Sequence, residues 1–228
     1  MKKTFLLLIA SLILVSCGGG GGGGDTSTPS PVTSFALQAG YKAYVAASHR
    51  DNFNVSGTCN GTATVTSSIP TAATFEGIAG YSTTSTVTLN VTNCTPATSS
   101  VTGTDYYDAN YNSVGASTGG EYSVALTVLP LPTSVKVGDT AIYAAATTYS
   151  DSTKTTVTGR RELSYIVEND SSTTAFVTAI NKRYNTSNQL LSTSQEKYRI
   201  AGDGTLTLLS TDVQLSTTST THLLYTKI

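Results

Sequence analysis

The chain has 228 residues, 39% of them hydrophobic and 12% charged, with a formal net charge of −1 at pH 7. Charged residues stand at about half the usual fraction, and a surface without a basic excess cannot displace counterions from a polyanion, so nucleic-acid binding is not favoured. Ser and Thr supply roughly three residues in ten, and Thr, Val and Tyr suit a half-exposed pleated sheet.

Lys2 and Lys3, an apolar run from Phe5 to Val15, and small residues ahead of Cys17 have the form of a secretory signal peptide spanning residues 1–16. The run is about eleven residues, too short for a helix that must cross roughly 30 Å of hydrocarbon. Its end, Leu14-Val15-Ser16-Cys17, resembles the lipobox of bacterial lipoproteins. That resemblance implies a diacylglyceryl thioether on Cys17, cleavage before it and acylation of the new terminus. Two or more acyl chains hold a protein stably at a bilayer where one holds it marginally. Gly18 stands where similar proteins kept in the inner membrane often carry Asp, so the expected address is the outer membrane.

Cleavage removes two of the thirteen basic residues and leaves eleven against fourteen acidic ones, a formal charge of −3. Residues 17–33 then form the lipidated cysteine and a linker, an unbroken glycine run to Gly24 followed by Ser, Thr and Pro. As a flexible coil it reaches about 20 to 24 Å. The glycine run matches G-x-G-x-x-G trivially, with no strand before it and no helix after it. A Gly run behind a lipobox is similar to the Gly-run lipoproteins of Gram-negative bacteria, which supports an envelope address and implies no activity.

In the body, Leu37, Tyr41, Tyr44, Val45 and Ser48 recur near helical spacing, which predicts one short helix over Phe35–Ala47. Strands and turns follow. Phe53–Thr58 and Thr62–Thr66 flank an Asn60-Gly61 hairpin signal. Val87, Leu89 and Val91 alternate with Thr88, Asn90 and Thr92, and Tyr122, Val124, Leu126 and Val128 repeat the pattern, the period of a strand with one wet face. Leu129-Pro130-Leu131-Pro132 interrupts any ladder, because proline lacks the donor, and marks a boundary between two β subdomains, 34–130 and 131–228. Further strands are predicted at Ala141–Tyr149, Glu162–Glu168, Thr174–Tyr184, Leu190–Ile200, Thr205–Leu209 and His222–Lys227. The expected fold is all-β, an antiparallel meander or sandwich with one N-terminal helix. Asp105–Asn110 and Lys182–Ser187 echo each other as a repeated hairpin solution.

With Cys17 lipidated, Cys59 and Cys94 are left as a pair in an oxidising compartment and are expected to form a disulfide. Closing a loop of about 35 residues is worth roughly 4 kcal/mol in the chain-entropy picture. No metal site is expected from two cysteines and the isolated His49 and His222.

Other matches to chemical motifs lack their context. Gly115–Gly119 fits G-x-S-x-G around Ser117, but a nucleophile elbow needs a strand before and a helix after, and Gly120–Leu129 reads as a strand. Ser194–Lys197 matches S-x-x-K without its partner triplets. Asp105, Asp108, Asn110 and Asn112 alternate like the start of a calcium loop, yet Ser113 and Gly119 occupy the glycine and glutamate positions. Tyr106, Tyr107, Tyr111 and Tyr122 surround the same turn and offer ring faces to a sugar. Arg160, Arg161, Lys182 and Arg183 read as a solvated edge that discourages strand aggregation.

The sequence therefore predicts a non-enzymatic, lipid-anchored envelope module, structural or interactive, with no cofactor. Its partners are the membrane, through Cys17, and an envelope protein or glycan. The alternative is a glycan- or calcium-binding surface domain centred on residues 105–111.

Overall fold

The computed structural model describes residues 31–216 and 221–228. The signal peptide, Cys17 and the linker up to residue 30 lie outside them.

The fold is all-β with one short helix. The helix α1 (Leu37–Val45) precedes β1 (His49–Gly57), β2 (Asn60–Ser67), β3 (Thr71–Phe75), β4 (Ile78–Thr92), β5 (Thr98–Asp108), β6 (Ser113–Thr118) and β7 (Glu121–Val128). Then come β8 (Thr140–Tyr149), β9 (Val157–Asn169), β10 (Thr174–Asn185), β11 (Leu190–Ala201), β12 (Leu206–Leu215) and β13 (Thr221–Lys227). From β4 to β13 each strand pairs antiparallel with the next, and β13 pairs with β1. Pairing of β2 with β4, from Asn60–Thr92 to Ser67–Ser85, closes the ring. Twelve strands thus form a barrel, and β3 hangs on β4 outside it. A meander is what most of the chain draws, but closure replaces the expected sandwich. Closing the sheet on itself removes the unpaired edges that two open layers would leave.

The expected boundary at Leu129–Pro132 falls in the β7–β8 connection, yet β7 and β8 pair from Tyr122–Tyr149 to Val128–Ala144. Both halves contribute strands to one closed sheet. The prolines sit where no ladder bond is required of them. Cys59 and Cys94 form the expected disulfide, with Cα atoms 5.8 Å apart. It ties the β1–β2 turn to the β4–β5 turn, which the β2–β4 pairing makes neighbours. The β1–β2 turn itself lies at Thr58–Cys59, so Asn60 and Gly61 open β2 instead of forming the turn.

Strand alternation sends one side chain in and the next out. On β4, Thr83, Ser85, Val87, Leu89 and Val91 share the inward register, opposite Asp105, Gly103 and Val101 of β5, while Thr84, Thr86, Thr88 and Asn90 face out. Outward Thr86 and Thr102 join hydroxyls across the strands at 2.9 Å. On β7 the phase is the reverse of the expected one. Glu121, Ser123 and Ala125 face inward, and Leu126 is 70% exposed on the outer wall. Tyr122 is kept by a different partner: β3 folds over the outer wall and sets Phe75 against Tyr106 and Tyr122, with ring centroids 4.2 and 5.3 Å away.

Helix α1 covers one end of the barrel. Residues around it bond successively to the turns at that end: Val32 N–H to Ser172, Phe35 with Val135 in both directions, and Gln38 N–H to Pro132. Gly40 fits because it has no side chain, since a Cβ there would sit 1.9 Å from the Gly204 carbonyl oxygen. Lys42 caps the Tyr111 ring at 5.4 Å. The inward positions Leu37, Gly40, Tyr41 and Tyr44 follow i, i+3, i+4, i+7 spacing, which is why the helix period was readable. Phe35 and Leu37 join Val135, Val167, Val177 and Ile200 in one apolar cluster. A second gathers Phe53, Val55, Ala63, Val91 and Leu208 beside the disulfide. At the far end lumen-facing Val101 and Leu215 are 57% and 41% exposed, so water reaches the wall there.

Candidate functional site

Between the two apolar clusters the barrel is not filled. A cavity of about 410 Å³ lies beneath α1, walled by Tyr41 and Tyr44 of the helix and by residues of β1, β2, β4, β5, β11, β12 and β13. Its surface is mostly apolar and aromatic, including Phe53, Val65, Val87, Tyr198, Leu208 and Tyr225, and it carries the carboxylates of Asp51, Asp105 and Glu196. A second cavity of about 210 Å³ shares Tyr41, Asp105, Tyr107 and Glu196 with the first and extends to Arg161 and Asn181. Small residues make the room there: Ala116, Ala125, Ala144 and Ala146 line it. The larger cavity is within the range of small-molecule sites, and its lining, apolar with a few placed polar groups, is of their kind.

The lumen's charges are of two sorts. Some are neutralised within the wall. Asp51 pairs with Lys227 at 2.5 Å. Glu121, 7% exposed, is held by Arg161 and Arg183, which are register partners on β9 and β10. Taking either cation away would leave a buried group whose desolvation is no longer offset. The remaining two are not so neutralised. No described donor reaches the Asp105 carboxylate, and burial followed by the nearby charge of Glu196 pushes its pKa up to about 6, against a smaller opposing pull from Arg161. Glu196 accepts one hydrogen bond, from the Tyr198 hydroxyl at 2.7 Å. Desolvation holds the Tyr41 and Tyr198 phenols well above their ordinary value, with the charge of Glu196 adding to it. The Arg161 Nε and Asn181 Oδ1 atoms are buried without a partner among the described residues, and both residues line the smaller cavity. Groups of this kind call for water or a ligand to satisfy them.

Several sequence candidates land elsewhere. The residues expected to make a calcium or sugar site do not share a surface. Tyr107 points into the lumen and is buried, Tyr106 is covered by Phe75, and Tyr111 stacks on Tyr81 at 4.9 Å beneath Lys42. Asp105 faces the lumen, whereas Asp108 is spent on its own turn, accepting from the backbone of Asn110 and Asn112 and from the Asn112 amide. Among the described residues no group of three or more His, Cys, Asp or Glu gathers as metal ligands would. Asn185 repeats the Asp108 turn, accepting from Ser187 and Gln189 N–H, with Asn188 and Tyr111 both at positive φ. The echo between the two segments is thus one turn solution used twice.

The basic quartet also divides. Arg161 and Arg183 turn inward to Glu121, while Arg160 lies over the Tyr184 ring at 3.8 Å on the outside. The edge reading fails because β9 and β10 are paired on both sides. Ser117 sits on β6 opposite Tyr122, in a hairpin rather than an elbow. Ser194 faces the larger cavity, but Lys197 leaves it for the Phe176 ring, 4.0 Å away. His49 stacks on Tyr44 and contacts its carbonyl oxygen at 2.6 Å, lining the cavity. His222 meets Asp212 on the outer wall at 2.9 Å.

Sequence reasoning missed Asp51, Glu121, Glu196 and Asn181 as lumen groups. The available signal was phase, since each occupies the inward register of its strand. It has no value until one knows which register is inward. Comparison of the chain with protein-family models, with curated proteins and with solved structures finds no match.

Proposed function

We propose that the protein is a non-enzymatic, lipid-anchored binding barrel of the cell envelope, which holds a small molecule in its lumen. The observation that carries the reading is the cavity of about 410 Å³ beneath α1, aromatic and apolar over most of its wall with carboxylates among its lining. A barrel that served only as a rigid spacer would be more stable with that space filled, because each void forfeits packing.

The outer wall supports a domain tethered beside a membrane. Spanning barrels present an apolar band about 25 Å tall to lipid. Here outward strand positions carry Arg160, Glu162, Lys182, Lys197 and Asp212 and a field of threonines. The bilayer attachment is then the work of Cys17 and its acyl chains, through the linker of residues 17–33.

Native mass spectrometry of the protein extracted from its host envelope in mild detergent tests the reading. The expected spectrum shows one small molecule retained per chain and lost on denaturation. A Val87→Trp variant, which fills the cavity from β4, should retain none while keeping its β circular dichroism. Equal spectra for the two proteins, without adduct in either, would remove the reading's support.

A further inference from the structure

Resting on the lumen reading, we propose that the ligand is an organic cation, with its ammonium group between Asp105 and Glu196 and its apolar body among Tyr44, Phe53, Tyr198 and Tyr225.

Charge is the first constraint on the ligand. Asp51 has Lys227, and Glu121 has two guanidiniums. Among the described residues no cation pairs with Asp105 or Glu196, and Arg161, whose charge reaches Asp105, is already engaged by Glu121. Both carboxylates border both cavities, so they stand at the waist of the lumen, where each meets the other's field. A buried charge is ordinarily paired, or it binds something that pairs it. The desolvated Asp105, unpaired among the described residues, with the solvent-exposed carboxylate of Glu196 beside it, forms a site that favours positive charge.

Shape and surface narrow the class. Tyr41, Tyr107 and Tyr198 line the same cavity as the two carboxylates, and the negative faces of aromatic rings attract ammonium groups, more strongly when both are desolvated. A bare divalent ion would need several oxygen ligands converging on it, and no group of three metal-ligating residues occurs among the described residues. Phe53, Val65, Val87 and Leu208 make most of the remaining wall apolar, which suits an alkyl or aryl body and offers nothing to a hydrated ion. Anions are disfavoured by the same pair of carboxylates. The Arg161 Nε and Asn181 Oδ1 atoms, in the smaller cavity on the other side of the waist from the apolar body, supply a donor and an acceptor for a polar substituent beside the ammonium.

Isothermal titration of the full mature protein in mild detergent, at pH 8, with three probes of one shape tests this: phenethylamine, phenylethanol and phenylacetate. The amine should bind at least tenfold more tightly than the alcohol, and the carboxylate should not bind measurably. In an Asp105→Asn, Glu196→Gln double variant the amine should fall to the level of the alcohol. The comparison among probes on the unaltered protein needs no variant to fold. Equal affinity for amine and alcohol, or preference for phenylacetate, would overturn the cation assignment and leave a lumen that binds neutral or anionic molecules. Failure of all three to bind, with Val87→Trp and unaltered protein alike in native mass spectrometry, would overturn both.

Discussion

Asp105→Asn separates the cost of an unpaired buried carboxylate from its use. In the folded protein its pKa is raised from 3.8 to about 6, first by burial and then by Glu196. The native state therefore holds the proton more tightly than the unfolded chain does. The contribution to stability is fully favourable below the unfolded value and is lost as the pH rises through about 6. Between those limits the shift corresponds to about 3 kcal/mol. The variant should accordingly be more stable than the parent by up to about 3 kcal/mol at pH 8, and by about 1 kcal/mol at pH 4.5. The first figure is a ceiling, because the amide that replaces the carboxylate is itself polar and still seeks partners. Urea unfolding of both proteins without added amine, followed by far-ultraviolet circular dichroism at the two pH values, measures it. Other carboxylates titrate alike in both proteins and cancel in the difference. A variant less stable than its parent at pH 8, or a difference that does not shrink on acidification, would refute the reasoning. Phenethylamine should stabilise the parent more than the variant.

Three further substitutions probe the parts that build the lumen. Glu121→Leu should destabilise by about 3 to 5 kcal/mol, since it leaves Arg161 and Arg183 facing each other without their shared anion; a change under 1 kcal/mol in urea unfolding would show that water neutralises them. Gly40→Ala should cost about 1 to 3 kcal/mol through its collision with the Gly204 carbonyl, more than the gain of about 1 kcal/mol that helix propensity offers. Stabilisation by that substitution would mean that α1 does not close the barrel as described. Replacing Cys59 and Cys94 together by Ser should cost about 4 kcal/mol, read as a lowered urea midpoint, and an unchanged midpoint would argue that the disulfide is not formed in the native protein.

Local structure was readable where one face of an element meets a uniform environment. Leu37, Tyr41 and Tyr44 all point into the barrel, so their spacing announces α1. Val87, Leu89 and Val91 point inward over a wall of outward threonines, so β4 announces itself too. The phase of β7 was misjudged because its larger side chains face out: Tyr122 is retained by Phe75 from β3, while the inward positions hold Glu121 and Ser123. Strands β3, β5 and β6 gave no clear pattern, being short or crowded with Thr, Ser and Gly. Barrel closure could not be seen, as it rests on two pairings that skip along the chain, Gly61 with Val91 and Val55 with Tyr225. The candidate site was hidden for the same reason. Asp105, Arg161 and Glu196 belong to no motif, and only the ring brings them to one lumen.

Whether the space beneath α1 is a binding site can be seen in a crystal of the protein soaked with phenethylamine. Density for the amine is expected inside the barrel, nitrogen toward Asp105 and Glu196 and ring against Tyr198. A lumen that holds only water, with the amine absent or on the outer wall, would show that the barrel does not bind in its lumen.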